Sequence, residues 1–264
     1  MKTLFLKTTT LLFALGLMWS CSGDPKQSDS TISTIQLNSK KIAQSLADDG
    51  TRNSQTADVR LSIPYLVSGS PELDMAIGAF SLRFHKAILL SLDHESDTIP
   101  LSMDTLVSRF FQRFVQTYQN NEAGYFKSWL VETQDTVFGV SSQAVCVGIT
   151  AECYTEGSQP DHITHIENFD PITGKTIEVS KIITDIPALQ QLCEQKFKQV
   201  EADAFQKGFQ LTDFKLPENI GITPKGLLFH YNIYEVGGRG LGDTQFLIPY
   251  NELKEVVNLN IGKP

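Results

Sequence analysis

The stretch QAVCVGITAECYTEGSQPDHITHIENF (residues 143–169) holds two runs rich in Val, Ile and Thr, parted by a polar loop with Gly157 and Pro160. β-Branched residues fit a pleated, half-buried surface, and a glycine and a proline between two such runs mark a chain reversal. Residues 143–154 and 162–169 therefore read as antiparallel strands. Residues 125–140 read as a third strand of the same meander. Asp170-Pro171-Ile172-Thr173-Gly174-Lys175 then reads as a turn leading to a short strand at residues 176–179.

Periodicity extends this reading in both directions. Val59, Leu61 and Ile63 alternate with Asp58, Arg60 and Ser62, which predicts a strand over residues 57–64 that Pro64 closes. Residues 34–43 suggest another. Leu73, Ile77, Phe80, Phe84, Ile88 and Leu92 recur at helical spacing, as do Leu106, Phe110 and Phe114 in a second helix over residues 102–118, stopped by Asn120, Asn121 and Gly124. Pro187 opens a third helix reaching about Ala204, whose apolar side carries Leu189, Leu192, Cys193, Phe197 and Val200. Strands at 220–223, 226–234 and 244–249 and a short helix at 251–257 complete the chain, with no repeat of fixed period. The fold class is α+β: a twisted, mostly antiparallel sheet with helices packed on one face. Residues 34–264 are expected to form one domain, with an N-terminal half of about 34–125 and a C-terminal half of about 126–264.

The N-terminus reads differently. Lys2 and Lys7 precede an apolar run from Leu11 to Trp19, too short to span a bilayer, and Ser20 stands before Cys21. This is the pattern of a secretory signal over residues 1–20, with Cys21 as the lipidated residue of a bacterial lipoprotein. Residues 22–33 carry a single Ile among Ser, Asp, Thr, Gln, Gly, Lys and Pro, so residues 21–33 suit a flexible tether. After Cys21 the chain carries 20 bases and 30 acids, a net charge of −10. That balance disfavours nucleic acid and anionic lipid and favours basic partners. With 41% hydrophobic residues and 16 Phe, the domain can bury a substantial core without cross-links. The three further cysteines, Cys146, Cys153 and Cys193, form no zinc or disulfide pattern, and Cys146 and Cys153 would face opposite sides of one strand.

Several strings carry a family resemblance: Asn168-Phe169-Asp170 with Thr173-Gly174-Lys175, then a helix, then Gly226-Leu227-Leu228-Phe229-His230-Tyr231, Tyr234-Glu235-Val236, Gly242 and Ile248-Pro249-Tyr250. In order and spacing they resemble the domain of unknown function 3298. They also resemble the RsiV-like extracytoplasmic domain and the non-catalytic domain beside the deacetylase PdaC. With Ile63-Pro64-Tyr65 included, the likeness runs over residues 58–257. It implies ligand capture outside the cell: lysozyme for the RsiV-like members, a non-catalytic role beside a deacetylase for the other. Where members commonly have Tyr-Thr-Gly-Gly-Ala-His, this chain has the longer, acidic Tyr154-Thr155-Glu156-Gly157-Ser158-Gln159-Pro160-Asp161-His162.

Candidate chemistry is sparse. His162 and His165 fall on opposite faces of a strand and cannot share an ion, so no metal or other cofactor is expected. His85 and His230 are expected to be satisfied structural groups. The loop Gly237-Gly238-Arg239-Gly240-Leu241-Gly242-Asp243 runs into a strand and not a helix, so it reads as a wide hairpin instead of a phosphate cradle. Asp48 and Asp49 sit in a polar connector, and no nucleophile elbow, zinc helix or Ser-x-x-Lys signature is present, so no catalytic residue is assigned. The ligand-binding candidates are Tyr154, Glu156, Asp161 and His162 on one loop and Tyr234, Glu235, Arg239 and Asp243 on the other. The expected function is that of a non-catalytic envelope lipoprotein, on the periplasmic side or the cell surface, binding a peptidoglycan fragment or a cationic, lysozyme-like protein. The alternatives are a hydrolase or deacetylase of cell-wall polysaccharide, and a structural subunit of an envelope complex.

Overall fold

The structure is a computed structural model describing residues 35–47, 56–90, 102–120, 128–155, 161–211, 213–238 and 240–258. Cys21 with its signal and tether, Asp48, Asp49, Glu156 and Arg239 lie outside the described residues. The chain runs β1 (Gln36–Ala47), β2 (Thr56–Ser68), α1 (Pro71–Leu90), α2 (Met103–Asn120), β3 (Trp129–Val140), β4 (Val145–Tyr154) and β5 (Asp161–Phe169). It continues α3 (Ile186–Val200), α4 (Ala202–Gln206), β6 (Asn219–Ile222), β7 (Gly226–Tyr231), β8 (Thr244–Pro249) and α5 (Tyr250–Leu253).

The α+β class holds, and the strands divide into two sheets, ordered β1-β2-β3-β4-β5 and β6-β7-β8. Every pairing is antiparallel except β2 with β3, where α1 and α2 supply the long crossover that parallel strands need. Each sheet carries helices on one face. Ala57, Val59, Leu61, Trp129, Val131, Val147 and Ile149 bury against Leu73, Ile77, Phe80, Phe110 and Phe114 of α1 and α2. Leu227, Phe229, Tyr231, Phe246 and Ile248 bury against Leu189, Cys193 and Phe197 of α3 and Leu253 of α5.

The other faces of the two sheets meet. Cys146, Ile166 and Phe138 of the first pack on Leu228 and Leu247 of the second. Gly221 makes the approach possible, since a Cβ there would lie 2.8 Å from the Cys146 sulfur. At the corner where β5 meets β6, three asparagines replace a backbone ladder. The Asn168 amide donates to the Ile220 carbonyl (2.8 Å) and accepts from the Ile222 N–H (2.6 Å). Asn219 accepts from the Ile166 N–H (2.8 Å), and Asn232 bonds both the N–H and the carbonyl of Thr164 (2.7 and 3.0 Å). The outer edge of β5, which would otherwise be open to another chain, is thereby occupied.

The structure corrects several expected boundaries. Pro64 does not close its strand: β2 continues to Ser68, with Pro64 opposite Ser39. The alternate N–H groups of β2 point away from β1; that of Ser62 donates to the Thr133 hydroxyl (3.0 Å) and that of Leu66 to the Asp74 carboxylate (2.9 Å). Pro64 falls in this phase, where its missing N–H leaves nothing unpaired. Residues 176–179 form only an isolated bridge from Thr176 to Phe169, followed by a 3₁₀ turn over Val179–Lys181. The third helix breaks at Glu201, whose φ of −94° and ψ of 24° are not helical. Its start is capped as expected near a proline, by Asp185 accepting from the Ala188 N–H at 2.9 Å.

The Asp170 turn is anchored, although Ile172, Thr173 and Lys175 are exposed. The Asp170 carboxylate accepts from the Ile172 N–H (3.0 Å), the Thr173 N–H (2.7 Å) and the Thr173 hydroxyl (2.9 Å). Burial alone would raise its pKa, but these bonds and Lys175 hold it below the usual value. Gly174 adopts φ +66°, and a Cβ there would lie 2.3 Å from the Glu72 carbonyl oxygen at the start of α1.

Candidate functional site

β4 and β5 end at one tip, and the β7–β8 connection, residues 232–243, ends beside it. His162 lies on the face of β5 turned toward the second sheet, opposite Glu152 on β4. Its Nδ1 is 3.9 Å from Asp243 Oδ1, with the two side chains 38% and 41% exposed. The Asn232 clamp on Thr164 fixes the distance between the loops, and the Thr150 and Thr164 hydroxyls bond each other at 2.9 Å beneath it. The layer between the sheets is thus apolar at the Cys146 end and polar at the His162 end.

His230 on β7 sits inside this polar end at 3% exposure, and neither ring nitrogen has a hydrogen-bond partner of normal geometry. Burial lowers its pKa; Asp243, Asn232 and Gln245 oppose that effect and His162 adds to it. The expectation of a satisfied structural histidine therefore fails for His230. Its strand is indeed apolar on the α3 side, at Phe229 and Tyr231, but His230 points to the opposite side. His85, by contrast, meets the expectation: its ring bonds the Ser81 carbonyl (2.7 Å) and the Thr133 hydroxyl (2.9 Å), and burial lowers its pKa.

Glu235 accepts from the Asn232 N–H at 3.0 Å and lies beside Glu218. Burial raises its pKa; the Asn232 N–H opposes this, the Glu218 charge adds to it, and the Glu218 N–H opposes it again. Tyr234 stands 63% exposed at φ +76°, a left-handed conformation costly to a side chain without a local hydrogen bond.

Of the candidates predicted from sequence, His162 and Asp243 come together, with Tyr234 and Glu235 on the same connection. Tyr154 shares the inner face of β4 with Glu152 and is partly buried opposite Leu130. Asp161 is exposed at the start of β5, opposite Cys153. His162 and His165 do diverge, His165 setting its ring 5.7 Å from Phe80 on the helix side. Sequence reasoning missed His230, Asn232 and Glu218. The alternation of His230 with Phe229 and Tyr231 was the one available signal, and it reveals the face without its occupant.

Cys146, Cys153 and Cys193 are free thiols. Burial pushes Cys146 and Cys153 up to about 12 and Cys193 higher, so none is a thiolate near neutral pH. Among the described residues, no three His, Cys, Asp or Glu side chains are placed to hold a metal ion, and no helix is long and apolar enough to cross a membrane.

This geometry defines an α+β domain of two facing sheets, riveted by asparagines and open at one loop-bearing end. Residues 176–251 match the family model DUF3298, a protein of unknown function. A crystal structure of a DUF3298 family member from Bacteroides fragilis is similar with a TM-score of 0.66 and 17% identity, covering 88% of this chain and 96% of that one. A DUF3298 family protein from Pseudomonas aeruginosa is similar with a TM-score of 0.59 and 17% identity, covering 86% and 96%. No curated protein matches the chain. The family strings have structural roles here: Asn168 rivets the sheets, Asp170 and Gly174 build the turn, and the Tyr250 hydroxyl donates to the Thr223 carbonyl at 2.7 Å.

Proposed function

We propose that this chain is a non-catalytic binding module of the cell envelope, held at a membrane by a lipid on Cys21, which captures a cationic protein of the lysozyme kind. The observation that carries the reading is the convergence of two loops from different sheets at His162 and Asp243, with Asp161 and Glu235 on the same elements and Glu218, just before β6, beside Glu235. Clustered carboxylates attract a basic surface, and the acidic net charge steers it. Capture of a wall-derived glycan is the second reading, favoured by Tyr234, whose exposed ring offers a stacking face. His162, Asp243 and His230 do bring two histidines to an acid. His162 and Asp243 are 38% and 41% exposed there, not in the desolvated surroundings that tune an acid for chemistry on a polysaccharide, so binding is the better reading.

Titration calorimetry of the full chain with lysozyme and with muropeptides, at low and at physiological salt, tests this. Asp243→Lys should weaken lysozyme binding and flatten its salt dependence, and Tyr234→Ala should weaken the muropeptide alone. Absence of heat with both ligands at low salt would refute the proposal.

A further inference from the structure

We propose that the groove between β5 and the segment leading into α3 docks an extended segment of a partner protein in which apolar side chains are followed by a basic one; this deepens the capture proposed above and rests on it. The groove encloses about 450 Å³. Ile177, Val179, Ile183, Ile186, Leu216 and the buried Ile220 line it.

The segments that line it are held by hydrogen bonds to the backbone. The Ile177 N–H donates to the Asn168 carbonyl (2.7 Å), the Thr184 N–H to Val256 (2.9 Å) and the Asn258 N–H to Ile182 (2.7 Å). Just before Leu216, the Tyr231 hydroxyl donates to the Lys215 carbonyl (3.1 Å) and the Gln190 amide to the Phe214 carbonyl (2.6 Å). A preset groove spares an incoming chain most of the cost of ordering its site. Ile186 is 54% exposed at the first position of α3, where polar residues usually stand, so the groove opens on apolar surface.

Charge selects the occupant. Glu167 is engaged by Arg83 (2.9 Å), Glu178 by Lys181 (2.8 Å), and nearby Lys215 by Asp213 (2.9 Å). At the end of the groove, the Glu235 carboxylate accepts the Glu218 backbone N–H, and the two side-chain charges repel. A Lys or Arg set between them relieves that repulsion, while an acidic segment worsens it. The Glu218 end also adjoins Asn232 and the loop tip, so a cationic protein held by the loops would present its neighbouring strand or tail to the groove.

The test measures fluorescence anisotropy of a rhodamine-labelled peptide, Gly-Leu-Ser-Ile-Lys-Arg-Gly, added to the full-length chain in detergent. Two control peptides replace Lys-Arg by Glu-Glu, or Leu and Ile by Ser. Saturable binding of the first peptide, at least tenfold tighter than either control, is expected. Ile186→Asp should weaken it tenfold or more, and this variant folds because an acid suits the first turn of a helix. Glu218→Lys should erase the preference for Lys-Arg over Glu-Glu. Equal affinity for all three peptides, no binding, or indifference to Ile186→Asp would overturn the proposal. If Asp243→Lys, but not Ile186→Asp, abolishes lysozyme binding, the loop end acts alone and only the groove reading fails. A dimer in sedimentation velocity that Ile186→Asp dissociates would assign the groove to a second copy. A gain in peptide affinity on deleting residues 259–264, which include Leu259, Ile261 and Lys263, would assign it to the chain itself; either result overturns capture of a partner.

Discussion

Replacing Asn168 by Ala would show how the two sheets hold together. The side chain is 3% exposed and makes two bonds to the second sheet, at 2.8 Å to the Ile220 carbonyl and 2.6 Å from the Ile222 N–H. Its removal strands both groups in positions that water does not reach, with Ile222 at 2% exposure and Ile220 at 8%. A stranded buried polar group costs about 1–3 kcal/mol, so the loss of two should be about 2–6 kcal/mol. Asn168→Leu is the informative partner, since it restores bulk and apolar contact but strands the same two groups. If hydrogen bonding is the cause, Leu recovers little of the loss. Asn219→Ala, with one bond at stake, should cost about half as much. Urea unfolding followed by Trp129 fluorescence for the first sheet and by far-ultraviolet circular dichroism for the whole chain gives each value. A loss under about 0.5 kcal/mol for Asn168→Ala, or native stability for Asn168→Leu, would refute the riveting argument.

Stability should fall on acidification. His230 and His85 have folded pKa values below the ordinary 6.5, so the unfolded chain binds their protons first; the stability they confer is complete above 6.5 and is lost as pH falls below it. Each contributes a slope of up to about 1.4 kcal/mol per pH unit, and His230→Gln should remove one such contribution from melting curves between pH 7 and 5. An unchanged slope would show that His230 titrates normally. Gly174→Ala should cost about 1–3 kcal/mol by denaturant titration, because a side chain meets both an unfavourable φ and the Glu72 carbonyl. A change within 0.5 kcal/mol would mean that the turn moves off α1 readily.

Much of the fold was legible in the periodicities. Leu73 through Ile88 and Val59 through Ile63 bury the faces their spacing predicts, because each element must turn its apolar stripe to a core. Boundaries were less legible where a tertiary partner changes the local outcome. Pro64 stays in its strand because Thr133 and Asp74 take the neighbouring N–H groups, and residues 176–179 leave the ladder after one bridge. At the site, the two candidate loops were visible as polar, glycine-bearing interruptions. That His162 would meet Asp243 across 81 residues of chain was not.

What the sequence determined by itself is the class of fold, the order of its elements and the acidity of the chain, since these follow from local pattern and composition. Tertiary structure alone decided that the strands form two sheets, that asparagine amides join them, and that His230 is buried beside Asp243, Asn232 and Gln245. The reason is physical: alternation tells which face of a strand is apolar, but not which second surface covers it. A side-chain amide that completes another strand's hydrogen bonds has no signature until the two strands are side by side.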